Sequence, residues 1–189
     1  MVDATVCART GWNDGCSLNQ TAEYEQNMVN LIKDLRKAWG QPKLAVSIAV
    51  SGFDGFDGEE ASRQPKGCWD KDSYEPGLAS KIKCNCANDR GCRRLDVVLS
   101  QFGAADPKRH PELGGGVSAM ETRGYQRTQY SPAPAQGYHW GHNAETYYLI
   151  GKAMASGMLE AMGAKALPGF PTGQSQPGGC SPAHLCSAA

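Results

Sequence analysis

The chain has 189 residues, enough for one domain with a sizeable core, and 19 Lys plus Arg balance 19 Asp plus Glu. A formal charge of zero leaves no basic field for nucleic acid or an anionic membrane surface, and the longest apolar runs fall far short of a membrane span. Eight cysteines favour an oxidising compartment, yet the first residues show no basic region followed by a long apolar run, hence no recognisable signal peptide. An N-terminally truncated chain from a secreted or extracytoplasmic parent would reconcile the two.

Residues 5–10 (TVCART) read as a short strand leading into Gly11-Trp12-Asn13-Asp14-Gly15. Such a turn would place an asparagine amide and a glycine N–H at a sheet's carboxyl edge, where open α/β sheets bind ligands. Asn-Asp-Gly is also ordinary turn chemistry. Asn19-Gln20-Thr21 is a glycosylation sequon, meaningful only in a secreted chain. Over 22–39 the spacing predicts a helix with Tyr24, Met28, Leu31, Ile32, Leu35 and Trp39 on one face, stopped by Gly40 and Pro42. LAVSIAV (44–50) is a nearly continuous apolar run, expected to be a parallel strand buried on both faces, followed by Ser51 and Gly52.

Residues 57–92 are polar, carry Pro65, Pro76, Cys68, Cys84, Cys86 and Cys92, and read as an insertion over the sheet. A helix is expected over 93–105 with Leu95, Val98, Leu99 and Phe102 inward, then a strand at VSAMETR, 117–123. In GYHWGHNAETYYLIGKAMASGMLEAM (137–162), Tyr147, Ile150, Met154, Met158 and Ala161 make an apolar helical stripe. Asn143 is its expected N-cap and Glu145 complements the positive end of its dipole. Residues 163–189 lack apolar periodicity and are expected to be a disordered Gly/Pro/Ser-rich tail. Strands alternating with helices argue for an α/β fold with a parallel sheet.

GWND, the YEQNMVNLIKDLRK helix, VSIAVSGF, RRLDVVLSQFGAADPKRHPEL, VSAMETRGY and GYHWGHNAETYYLIG, in that order and spacing, resemble the sialate O-acetylesterase and acetylxylan-esterase branch of the SGNH hydrolases. The resemblance covers about two-thirds of the chain, within an SGNH-like domain at 1–162. It implies a flavodoxin-like three-layer α/β/α sandwich, and hydrolysis of acetylated carbohydrate by a serine nucleophile without a cofactor. It implies too that Asn13 and Gly11 are oxyanion-hole donors and His139 the base. The physics of those roles is consistent, because a serine hydroxyl needs an imidazole to take its proton and an oxyanion needs fixed donors. Tyr138 and Trp140 are the expected wall for a sugar ring.

Two departures from the family are visible. The aspartate usually three residues before the histidine is Gln136, which leaves Glu121 as a possible substitute acid. The family's nucleophile turn lies upstream of G-x-N-D, where only ten residues stand, so the chain is expected to be the C-terminal portion of such an enzyme. Gly173-Gln174-Ser175 has neither the preceding strand nor the following helix of a nucleophile elbow, and Ser51 falls in the wrong block. The other reading is a non-catalytic, disulfide-stabilised sugar-binding or interaction module.

Cys68, Cys84, Cys86 and Cys92 do not have zinc-knuckle spacing and are expected to form disulfides. His139-x-x-His142-x-x-Glu145 is a weak metal pattern, since the helical spacing that aligns ligands is four, and no metal is expected. If the family's first strand is missing, residues 5–10 form an open sheet edge, through which the chain would self-associate.

Overall fold

The computed structural model describes residues 11, 14–52, 90–127, 132–133 and 137–165. The regular elements are α1 (Leu18–Ala38), β1 (Val46–Ala49), α2 (Arg90–Ala104), β2 (Val117–Met120) and α3 (Ala144–Ala161), with short 3-10 turns between them. The two strands pair in parallel, Val46 opposite Val117 through Ala49 opposite Met120.

Alternation along the strands sorts the core. Val46, Ile48, Val50, Val117 and Ala119 share one buried cluster with Tyr24, Met28, Val29 and Ile32 of α1 and Val97, Val98 and Phe102 of α2. The intervening residues Ser47, Ser118 and Met120 meet α3 through Gly157, where an added Cβ would fall 2.5 Å from Ser47 Oγ and 2.7 Å from Met120 Cγ. Ser118 Oγ donates to the Gly157 carbonyl at 2.7 Å. Helices therefore pack against both faces of the small sheet, in agreement with the α/β class.

The face of α1 follows the expected one at Tyr24, Met28 and Ile32 and departs from it elsewhere. Thr21, Tyr24, Met28, Val29, Ile32 and Arg36 are buried, whereas Leu31 and Trp39 are 40% and 47% exposed. The i, i+4 row 24–28–32–36 wins because Arg36 has hydrogen-bonding work inside. Its guanidinium donates to the carbonyls of Leu44 (3.1 and 2.9 Å), Leu113 (2.5 Å) and Gly115 (2.9 Å). It thereby ties the end of α1 to the starts of both strands. The helix also begins earlier than expected, because Thr21 Oγ1 bonds the Asp14 and Ser17 carbonyls and holds a first turn that has no apolar signal. The sequon residues Asn19, Gln20 and Thr21 lie in that turn.

β1 is buried as a parallel strand should be, though shorter than 44–50. β2 stops at Met120, and Arg123–Tyr125 is a 3-10 turn where strand was expected. Helix α2 begins three residues before the expected start. Asn143 caps α3, its side chain accepting from the Thr146 N–H at 2.9 Å. The edge expected at 5–10, the cysteine-rich 57–92 apart from its last three residues, and the tail beyond 165 lie outside the described residues. Among the described residues no helix is long and apolar enough to cross a membrane.

Asp96 on α2 gives the fold a pH dependence. Burial pushes its carboxyl up to about 6, and its Oδ1 is buried without a hydrogen-bond partner. The folded state thus holds the proton more tightly than the unfolded chain. The residue costs nothing below about pH 4, destabilises progressively as pH rises through 6, and costs most above that. Allowing for solvent screening, the cost at pH 7.5 is on the order of 1–2 kcal/mol. Asp96→Asn is expected to raise the urea midpoint at pH 7.5 and leave it nearly unchanged at pH 4. An equal effect at both pH values would contradict this assignment.

Candidate functional site

At the carboxyl end of β1 the chain turns through Ser51 and Gly52, and two separate segments close on those residues. Gly11 is buried with φ 129°, a conformation that favours glycine. A Cβ there would lie 2.7 Å from Ser51 Oγ and 2.8 Å from Val97 Cγ1. Gly52 lies beneath the Trp140 indole, and a Cβ would fall 1.9 Å from its Cη2. The segment beginning at Gly11 and the segment preceding α3 thus meet consecutive residues of one strand end.

Gln101 fixes that end. It is fully buried on α2, accepts the Ser51 N–H at 2.7 Å, and donates to Ser51 Oγ at 3.0 Å and Tyr24 Oη at 2.9 Å. The backbone donor decides which way its amide faces, since a flipped group would set N–H against N–H. α1, α2 and the β1 terminus are locked together beside Gly11. Thr122, also fully buried, does similar work by donating to the Val50 carbonyl at 2.6 Å. Gln101 and Gly52 lie inside the RRLDVVLSQFGAADPKRHPEL and VSIAVSGF blocks of the resemblance, but no role attaches to either there, so only their polarity or size at a helix-core or strand-end position could have marked them.

The segment before α3 is sharply wound. Trp140, Gly141 and His142 have φ of 54°, 58° and 61°, and such left-handed conformations strain the two that are not glycine. Burial of the indole, 8% exposed against Ile150, Met154 and Ala49, holds the turn. So do Tyr147 Oη donating to the His139 carbonyl at 2.8 Å and the Asn143 N–H donating to the Trp140 carbonyl at 3.1 Å. His139 and His142 are exposed on either side of the tryptophan, their ring centres 5.6 Å apart.

Glu121 follows β2. Its carboxylate accepts from the Arg123 N–H, Nε and Nη2 at 2.9, 2.8 and 2.5 Å, and the pair is almost entirely buried. Burial, and secondarily the charge of the same carboxylate, raises the Tyr125 hydroxyl above its ordinary value. Asn13 and the Tyr138 side chain lie outside the described residues. Of the residues expected to form a site, Gly11 and Trp140 therefore share one strand end, His139 adjoins Trp140 in the chain, and Glu121 is bound up with Arg123.

No family model, curated protein or solved structure matches the chain.

Proposed function

We propose that the carboxyl edge of this sheet carries the oxyanion-hole and histidine part of a carbohydrate O-acetylesterase site. The observation that carries the reading is the meeting of Gly11 and Trp140 on Ser51 and Gly52. Loops that converge beyond the carboxyl ends of parallel strands are the usual ligand position in open α/β sheets. Helices α1 and α2 on one face and α3 on the other support the flavodoxin-like three-layer order. In this reading His139 is the base, Gly11 and Asn13 donate to the oxyanion, and Tyr138 with the indole edge of Trp140 lines the sugar. The substrate is an acetylated carbohydrate, the protein works outside the cytoplasm, and no cofactor is required.

The engagement of Glu121 by Arg123 favours the second reading, a sugar-binding module without turnover. A carboxylate that accepts three donors from one arginine is poorly placed to orient a distant imidazole as well.

Two measurements separate these readings. Methyl 2,3-di-O-acetyl-xyloside is expected to shift the Gly11 amide and the Trp140 indole N–H in proton–nitrogen spectra, more than the deacetylated sugar does. Silence of both signals at millimolar sugar would remove the site from either reading. Residues 1–189 alone are expected to give no saturable hydrolysis of p-nitrophenyl acetate. Joined behind a strand–Gly-Gln-Ser–helix segment from an acetylesterase, they are expected to gain turnover that His139→Ala abolishes. Binding without such a gain selects the non-catalytic reading.

A further inference from the structure

The two histidines beside Trp140 sit in a geometry that helical spacing does not describe. On a helix, residues three apart are offset by about 60° and residues four apart by about 40°, so a shared ligand is better served by four. Here the chain between them is a left-handed turn, with Trp140, Gly141 and His142 all at positive φ. That turn folds the His142 ring back towards the His139 ring, to 5.6 Å between centres at a 59° tilt.

This separation suits one ion held by both. A zinc–nitrogen bond of about 2.0–2.1 Å puts each ring centre roughly 3.2 Å from the metal, so two imidazoles at angles near 109–120° have centres about 5–5.5 Å apart. Small side-chain rotations close the remaining gap. Both rings are exposed, so an ion can reach them. The backbone that carries them is already fixed by the buried indole and by the Tyr147 and Asn143 hydrogen bonds, so binding would spend little conformational entropy.

We propose that His139 and His142 together bind one borderline divalent transition-metal ion, such as zinc, copper or nickel, as an open two-histidine site. Imidazole selects these ions over magnesium and calcium, which require oxygen ligands. Among the described residues no group of three or more His, Cys, Asp or Glu side chains could hold a metal. Among the described residues the ligands are therefore these two imidazoles, and water or a ligand oxygen completes the shell. The positive end of the α3 dipole opposes a cation here, and Glu145 in the first turn offsets it only in part because its Oε1 accepts from Arg127 at 3.1 Å. The site is accordingly one of modest affinity. It stands independently of the esterase reading. Where that reading holds, a bound ion takes the His139 lone pair and prevents it from acting as a base.

The test is a zinc sulfate titration of the full 189-residue chain with free thiols alkylated. It is followed by calorimetry and by histidine ring signals in long-range proton–nitrogen spectra, with magnesium sulfate as control. Zinc is expected to shift the His139 and His142 signals together at one equivalent, and magnesium to shift neither. His139→Ala and His142→Ala should each weaken zinc binding by about tenfold or more. Both side chains are exposed, so both variants are expected to fold, and an unchanged amide spectrum away from the turn verifies that. Zinc that shifts only His110 or His184, or that binds either single variant as tightly as the parent, would overturn the shared site.

Discussion

Gly52→Ala is expected to unfold the turn that carries His139 and His142 before it affects the rest of the molecule. The new methyl would fall 1.9, 2.1 and 2.5 Å from three atoms of the Trp140 ring. Real Cβ contacts do not come so close, and the indole cannot slide deeper because Ile150 and Met154 already pack against it. The ring must leave its slot. Losing a buried tryptophan costs roughly 3–5 kcal/mol. The strained left-handed residues at 140 and 142 then lose the burial that holds them. The measurable signature is a red-shifted tryptophan emission together with altered signals from both histidine rings. The proposed zinc affinity should fall with them. Trp140→Leu, which removes the ring that Gly52 accommodates, should make the additional Gly52→Ala change much less costly. An additive double variant would show that the two residues do not meet.

Arg36→Met is expected to destabilise the whole domain by about 3–5 kcal/mol, and the reason lies in what the guanidinium holds. Its four hydrogen bonds end on backbone carbonyls of Leu44, Leu113 and Gly115, ahead of β1 and β2. Hydrogen bonds to a charged donor are each worth about 1.5–3 kcal/mol, and carbonyls left without a donor in a buried place carry their own desolvation cost. Methionine recovers the aliphatic packing but none of the donors. Chemical denaturation should report a lower midpoint with an unchanged slope. Lysine, a single ammonium in place of a planar fork, cannot reach three carbonyls from one position and should rescue little. A loss below about 1 kcal/mol for Arg36→Met would mean that water replaces the arginine at these carbonyls.

Both of these residues were hard to read from sequence, for different physical reasons. The helices and strands were legible because their apolar spacing is strong: Ile150 and Met154 on α3, Val98 and Phe102 on α2, Val46 and Ile48 on β1. Arg36 inverts that rule. A buried arginine in the apolar row of α1 looks like solvent-facing charge until the carbonyls it serves are seen, and its presence turned the face away from Leu31 and Trp39. The boundary errors arose where side chain–backbone bonds, at Thr21, or a short strand end, at Met120, replaced apolar periodicity. At the candidate site, Gly11, His139 and Trp140 were marked by the resemblance and by their positions beside turns. The partners that fix Gly11 and Trp140 in place, Gln101 and Gly52, come from segments that no local pattern joins. The expected role of Glu121 depended on what else its carboxylate touches, and Arg123 lies only two residues away.

The parallel pairing of β1 with β2 has a kinetic consequence. Val46 must find Val117 across the chain, and the Arg36 contacts to Leu113 and Gly115 span 77 and 79 residues. Parallel ladders of such separation must close a long loop before any contact rewards them. The helices can form within microseconds, but the ladder and its arginine tie must wait for that closure. Closure entropy grows only with the logarithm of loop length, about 0.6 kcal/mol for each doubling. The number of residues between β1 and α2 therefore weighs little on this step. Bringing α1 and α2 together is part of the same closure, and it forms the surface on which VSIA and VSAM can find their register.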